Sequence, residues 1–144
     1  MNTPPKQQPA PYQNFYLSVP TLDIDGVPVY VDSNDLTKGL VHLPGSALPG
    51  ERGNLFISGH SSLPQFSSSK AMFANLQKVK KGDQISIKIG TGEFKYQVIG
   101  LKVTDPKDLS IIAPPDNLGR YISLMTCVPP GFNTNRLIVL GKLL

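Results

Sequence analysis

The stretch from 123 to 139, Ser-Leu-Met-Thr-Cys-Val-Pro-Pro-Gly-Phe-Asn-Thr-Asn-Arg-Leu-Ile-Val, constrains this chain most. An apolar run ends on the single cysteine, Cys127; eight residues of turn chemistry follow, and Arg136 opens a second apolar run. Short apolar runs on either side of proline, glycine and asparagine read as strand, loop, strand. If the two strands are neighbours, so short a connection holds the thiol and the guanidinium at the same end of a sheet. A nucleophile beside a fixed cation is what acyl transfer through a thioester requires. The pair does not establish that chemistry by itself, because a lone cysteine also serves as a small buried hydrophobe.

The same punctuation runs through the chain. Its 144 residues include fourteen prolines and thirteen glycines, which divide the apolar residues into short runs. Strands are expected at 15–24 with Pro20 marking an edge or bulge, at 27–31 after an Asp25-Gly26 turn, and at 40–43. Others follow at 54–60, at 84–89, at 93–104 beyond a Gly90-Thr91-Gly92 hairpin, at 121–127 and at 136–143. A capped short helix is expected from Ser33 to a stop at Gly39. Met72, Phe73, Leu76 and Val79 recur at helical spacing, predicting a helix over 70–79 after a polar loop at 61–69. The segment 105–119 reads as a loop with one helical turn at 108–112. About eight short strands with one minor helix describe an all-β fold, a closed or nearly closed barrel. Residues 1–14 carry four prolines, three glutamines and two asparagines with no apolar period, and are expected to be a disordered proline-rich linker ahead of one domain at 15–144. The net charge of +4 comes without a Lys/Arg block interleaved with aromatics, which argues against nucleic acid as a partner. No run approaches the roughly 20 apolar residues of a membrane span, so membrane attachment would have to come through an anchor outside this stretch.

His60 repeats the layout of Cys127, a reactive side chain at the end of a strongly apolar strand. A cysteine nucleophile needs a nearby imidazole to favour its thiolate. The preceding Ser58-Gly59 leaves room for another backbone or a substrate to approach. His42, beside Leu43 and Pro44, reads instead as a satisfied or solvated imidazole.

With these residues in view, the run from Thr126 to Leu137 resembles the signature of the bacterial sortases. It is most similar to that of the pilus-building class, TC-x-P-x-G-x-N-T-x-R-L, with every fixed position matched. Ser58-Gly59-His60 ahead of Leu63-Pro64 resembles the family's Gly-His segment, and 76–82 its Lys-Lys-Gly-Asp helix exit. The resemblance spans 15–144. It implies an eight-stranded sortase-type β-barrel and a cysteine transpeptidase that needs no cofactor. Cys127 would be the nucleophile, His60 the general acid/base and Arg136 the oxyanion stabiliser. The substrates implied are proteins bearing an LPxTG-like sorting signal. The acceptor would be an amine of a cell wall precursor or a pilin lysine, at the extracellular face of the bacterial membrane. A thiol peptidase hydrolysing the same motif and a non-catalytic peptide-binding barrel are the alternatives.

Strand alternation suggests a groove. Tyr121, Ser123, Met125 and Cys127 share one face, as do Arg136, Ile138 and Leu140. Met125 and Ile138 are expected to floor the groove with Ser58 and Thr126 beside the catalytic groups. Ile111, Ile112 and Pro114 belong to the segment that corresponds to the family's substrate-recognition loop. Glu51, Asp105, Asp108 and Asp116 are scattered, so no metal is expected. Nothing in 1–19 matches the aspartate, proline and aromatic lid of the pilus-building members, which leaves anchoring to the cell wall open beside pilin joining.

Overall fold

Alternation is the rule that builds this chain. In β1 (Asn14–Val19), Phe15, Leu17 and Val19 are buried while Tyr16 between them is exposed. In the computed structural model, which describes residues 11–33, 35, 39–60, 73–126 and 135–144 and the backbone of 127–128, this strand is one of eight that close into a barrel. The other strands are β2 (Ile24–Tyr30), β3 (Leu40–His42), β4 (Gly53–Ser58), β5 (Gln84–Ile89), β6 (Gly92–Thr104), β7 (Arg120–Val128) and β8 (Asn135–Leu143). Around the barrel they run β1-β2-β3-β4-β7-β8-β6-β5, so the eight-stranded barrel expected from the sequence is the observed fold. Inward side chains, among them Leu55, Ile57, Tyr96, Ile122, Leu124 and Val139, form one core.

Strand pairing gathers four strand ends in one place. β4 and β7 are parallel although distant in sequence, and β8 lies antiparallel between β7 and β6. The carboxyl ends of β4, β6 and β7 and the amino end of β8 therefore meet at one end of the barrel.

Two local expectations are corrected. Asp25-Gly26 is not a turn between strands. The chain reverses one step earlier, through a 3-10 turn at Pro20–Leu22, with Asp23 left-handed at φ 56°. Proline's fixed φ suits the first position of that turn. Asp25 and Gly26 instead oppose Ser18 in a bulge, where the Gly26 N–H donates to Ser18 Oγ at 2.9 Å. The expected helix over 70–79 is, in its described part, only a 3-10 turn at Leu76–Lys78. Its buried residues Phe73, Leu76 and Val79 stand three apart, which matches the 3-10 period better than 3.6. Of the helix expected between Ser33 and Gly39, the central residues 34 and 36–38 lie outside the described residues, as do the polar loop at 61–69, residues 1–10 of the expected linker and residues 129–134 of the Cys127–Arg136 connection.

Candidate active site

β7 and β8 carry opposite residues on a common register. Ile122 and Leu124 of β7 and Leu137 and Val139 of β8 are buried in the core. The intervening Ser123, Met125, Ile138 and Leu140 therefore face outward. Along this ladder Ser123 stands opposite Leu140, Met125 opposite Ile138, and Cys127 opposite Arg136. Opposed residues of an antiparallel pair have Cα atoms about 4.5–5.5 Å apart, so the backbones of Cys127 and Arg136 are neighbours at one end of the ladder. Arg136 is partly buried, and its Nη1 approaches the Asn135 carbonyl at 3.4 Å.

β4 delivers the histidine. Its last registered pair with β7 is Ser58 with Met125. Beyond it the Gly59 N–H donates to the Met125 carbonyl at 3.0 Å, and Thr126 Oγ1 donates to the Gly59 carbonyl at 2.8 Å. These two bonds extend the alignment by a residue. His60 stands two residues past Ser58, as Cys127 stands two past Met125, so both lie at the same end of the barrel. Gly59 is required here for packing, since a Cβ would lie 2.6 Å from Leu40 Cδ2 and 2.7 Å from Phe73 Cδ2. What fills the space beside it is these side chains rather than a second backbone or a substrate. The His60 ring is partly buried, and desolvation lowers its pKa below the usual imidazole value. A neutral imidazole can accept the proton of a thiol.

His42 differs in every respect. It is 1% exposed, Nδ1 accepts the Asp32 N–H at 3.1 Å, and Nε2 bonds the Ala47 carbonyl at 3.0 Å. Since a carbonyl can only accept, Nε2 carries the proton. This is the satisfied imidazole that its sequence context predicts.

On the outer face of β4, β7, β8 and β6 lies a groove of about 380 Å³, covered by the β6–β7 loop. Ile111, Pro114 and Ile138 line it, and so do Asn54, Ser123 and Lys102. The Ile112 side chain does not, but its carbonyl accepts from Asn54 Nδ2 at 3.2 Å, with the Ile111 carbonyl at 3.3 Å. Asn54 Oδ1 in turn accepts from Ser123 Oγ at 2.9 Å. One buried amide therefore ties β7 and the loop to β4. The sequence signal was a polar residue inside each of two apolar runs, at Asn54 and Ser123. Ser58 and Met125 lie further along, beside the Cys127–Arg136 row. Thr126 is 2% exposed with its hydroxyl committed to Gly59, so it ties strand ends together and does not line the groove. The carboxylates Glu51, Asp105, Asp108 and Asp116 each accept hydrogen bonds from the backbone of their own loops.

A closed barrel whose seventh strand reaches a cysteine where the eighth begins beside an arginine, with a histidine carried to the same end, defines a class of thiol-bearing β-barrels. The model of the Sortase domain family matches residues 17–144, and the chain belongs to the sortase family. Sortase D of Bacillus subtilis is 33% identical over 114 residues, which are 77% of this chain and 53% of that protein. The chain thus spans about half the length of that relative. Among solved structures, a lid mutant of sortase A from Corynebacterium diphtheriae superposes with a TM-score of 0.81 at 34% identity, covering 96% of this chain and 73% of that one. The pilus-related sortase C of Group B Streptococcus gives 0.81 at 32% identity, covering 94% and 69%.

Proposed function

We propose that this chain is the catalytic part of a cysteine transpeptidase that acts on an LPxTG-like sorting signal at the bacterial cell surface. The observation that carries the reading is the pairing at one barrel end of Cys127 with Arg136, with His60 two residues beyond the last β4–β7 pair, Ser58 with Met125. The Cys127 thiol gives its proton to His60 as its sulfur attacks the carbonyl carbon after the threonine of the signal. The tetrahedral oxyanion is held by the Arg136 guanidinium, which stays charged at any working pH. The C–N bond then breaks, His60 gives its proton to the departing glycine amine, and a thioester remains on Cys127. An incoming amine attacks that thioester and loses its proton to His60. A new amide forms and the thiolate is released. The groove lined by Ile111, Pro114 and Ile138 supports binding of the apolar leucine and proline of the signal. The acceptor is an amine of a cell wall precursor or a pilin lysine.

Incubation with a sorting peptide and then mass spectrometry tests this. Cys127 should gain the mass of the acyl fragment, and added triglycine should convert that adduct to a ligated peptide. No adduct under conditions where a thiol reagent labels Cys127 would refute the transpeptidase. An adduct that yields only free acid, whether or not triglycine is present, would make it a hydrolase.

A further inference from the structure

β6 ends at Thr104, which stands opposite Arg136 in the β6–β8 ladder, while Arg136 stands opposite Cys127 on its other side. Directly opposed residues of an antiparallel pair present their side chains to one face, so Thr104 and Arg136 share the outer face. Two residues away along both strands, Lys102 and Ile138 form the neighbouring pair on that face, and both line the groove. Thr104 therefore sits where the groove meets the Cys127–Arg136 row.

Thr104 is 6% exposed, and its Oγ1 is the buried side-chain polar atom without a hydrogen-bond partner among the described residues. The hydroxyls of β7 are committed, Ser123 to Asn54 and Thr126 to Gly59. A buried hydroxyl left unmade costs stability that a methyl of the same shape would not. Such a group at the edge of the groove is placed to take a partner that arrives in another state of the site.

We propose that Thr104 is a positioning residue for acylation. When a sorting peptide occupies the groove, Thr104 Oγ1 accepts a hydrogen bond from the Arg136 guanidinium and holds that fork toward the oxyanion. The guanidinium has five N–H donors, so a bond to threonine leaves others for the substrate. Threonine suits the task because its β-branch and burial fix the acceptor, and a fixed acceptor narrows the directions in which a long arginine chain can point. The inference rests on the reading of Arg136 as the oxyanion donor.

The test is single-turnover acylation of Cys127 by a sorting peptide in Thr104→Val, Thr104→Ser and Thr104→Ala. Arg136→Lys and the Thr104→Val/Arg136→Lys double variant complete the set. Thr104→Val and Thr104→Ala should slow acylation at saturating peptide about tenfold, leaving the half-saturating concentration within about twofold. Thr104→Ser should stay close to wild type, and Thr104→Val should unfold at the wild-type temperature or above. On the Arg136→Lys background, Thr104→Val should add no further loss. A Thr104→Val protein that acylates within about twofold of wild type, while Arg136→Lys is slow, overturns the inference and leaves the Arg136 role standing. So does a full Thr104→Val loss on the Arg136→Lys background. An Arg136→Lys protein as fast as wild type would instead remove the reading on which the inference rests.

Discussion

His42 and His60 carry the same ring in opposite settings, and the difference predicts two mutants. Replacing His42 by alanine strands the Asp32 N–H and the Ala47 carbonyl, which should cost about 1–3 kcal/mol of stability. Below its lowered Tm, that protein should still acylate at nearly the wild-type rate. His60→Ala should stay folded and lose acylation by about a hundredfold or more. Equal losses in the two folded proteins would mean that the catalytic imidazole is not His60 alone. The pH dependence comes from burial. Desolvation lowers the folded-state pKa of His60, so the unfolded chain takes up a proton first as pH falls. The stabilising contribution of neutral His60 is therefore complete above the unfolded-state pKa and is lost as pH falls from there through the folded value. An NMR titration of His60 in Cys127→Ala, which removes coupling to the thiol, should give a midpoint below 6.5. Arg136→Lys keeps the charge but not the planar fork, and about a hundredfold loss in acylation is expected. Cys127, His60 and Arg136 are legible in the sequence because each marks the end or start of an apolar run. Thr104 is not, because a threonine closing a strand is ordinary in sequence, and only the register reveals what stands opposite it.

Between residue and barrel, the β6–β7 loop shows how a segment that covers a groove is held. Asn54 reaches from β4 to the Ile111 and Ile112 carbonyls and takes the Ser123 hydroxyl. At the far end of the loop, Asp116 accepts the Tyr121 O–H at 2.6 Å and the Gly119 N–H at 2.7 Å. Asn54→Ala should therefore free the covering loop without touching the Cys127–Arg136 row. The expected result is a several-fold rise in the half-saturating peptide concentration, with the saturated acylation rate changed much less. The reverse split would place Asn54 in the chemistry rather than in the groove. Strand existence is legible at this scale because each strand alternates or runs apolar between turn residues. The Asp25-Gly26 bulge passes for a hairpin in sequence because both devices use the same residue pair, and only the register with Ser18 separates them. The 70–79 segment passes for a helix because apolar residues three apart satisfy a helical template and a 3-10 turn equally over so short a span.

At the scale of the molecule, the barrel is unevenly knit. The β6–β8 and β7–β8 ladders each register eight residue pairs, whereas β2–β3 registers two and β1–β5 three. Amide exchange should be slowest in β7 and β8 and fastest along β3, whose ladders with β2 and β4 register two pairs each. Uniform protection around the barrel would contradict this. A different consequence comes from the parallel pairing of β4 with β7. Residues 54 and 123, 69 apart in the chain, are joined by a side-chain bond within it, so His60 and Cys127 stay strangers until that distant pairing has closed. Pairings between remote segments are the slow ones in folding. Turnover is thereby a clock for the fold. After dilution from denaturant, acylating activity should return with the last refolding phase, while the β7–β8 hairpin gains protection earlier.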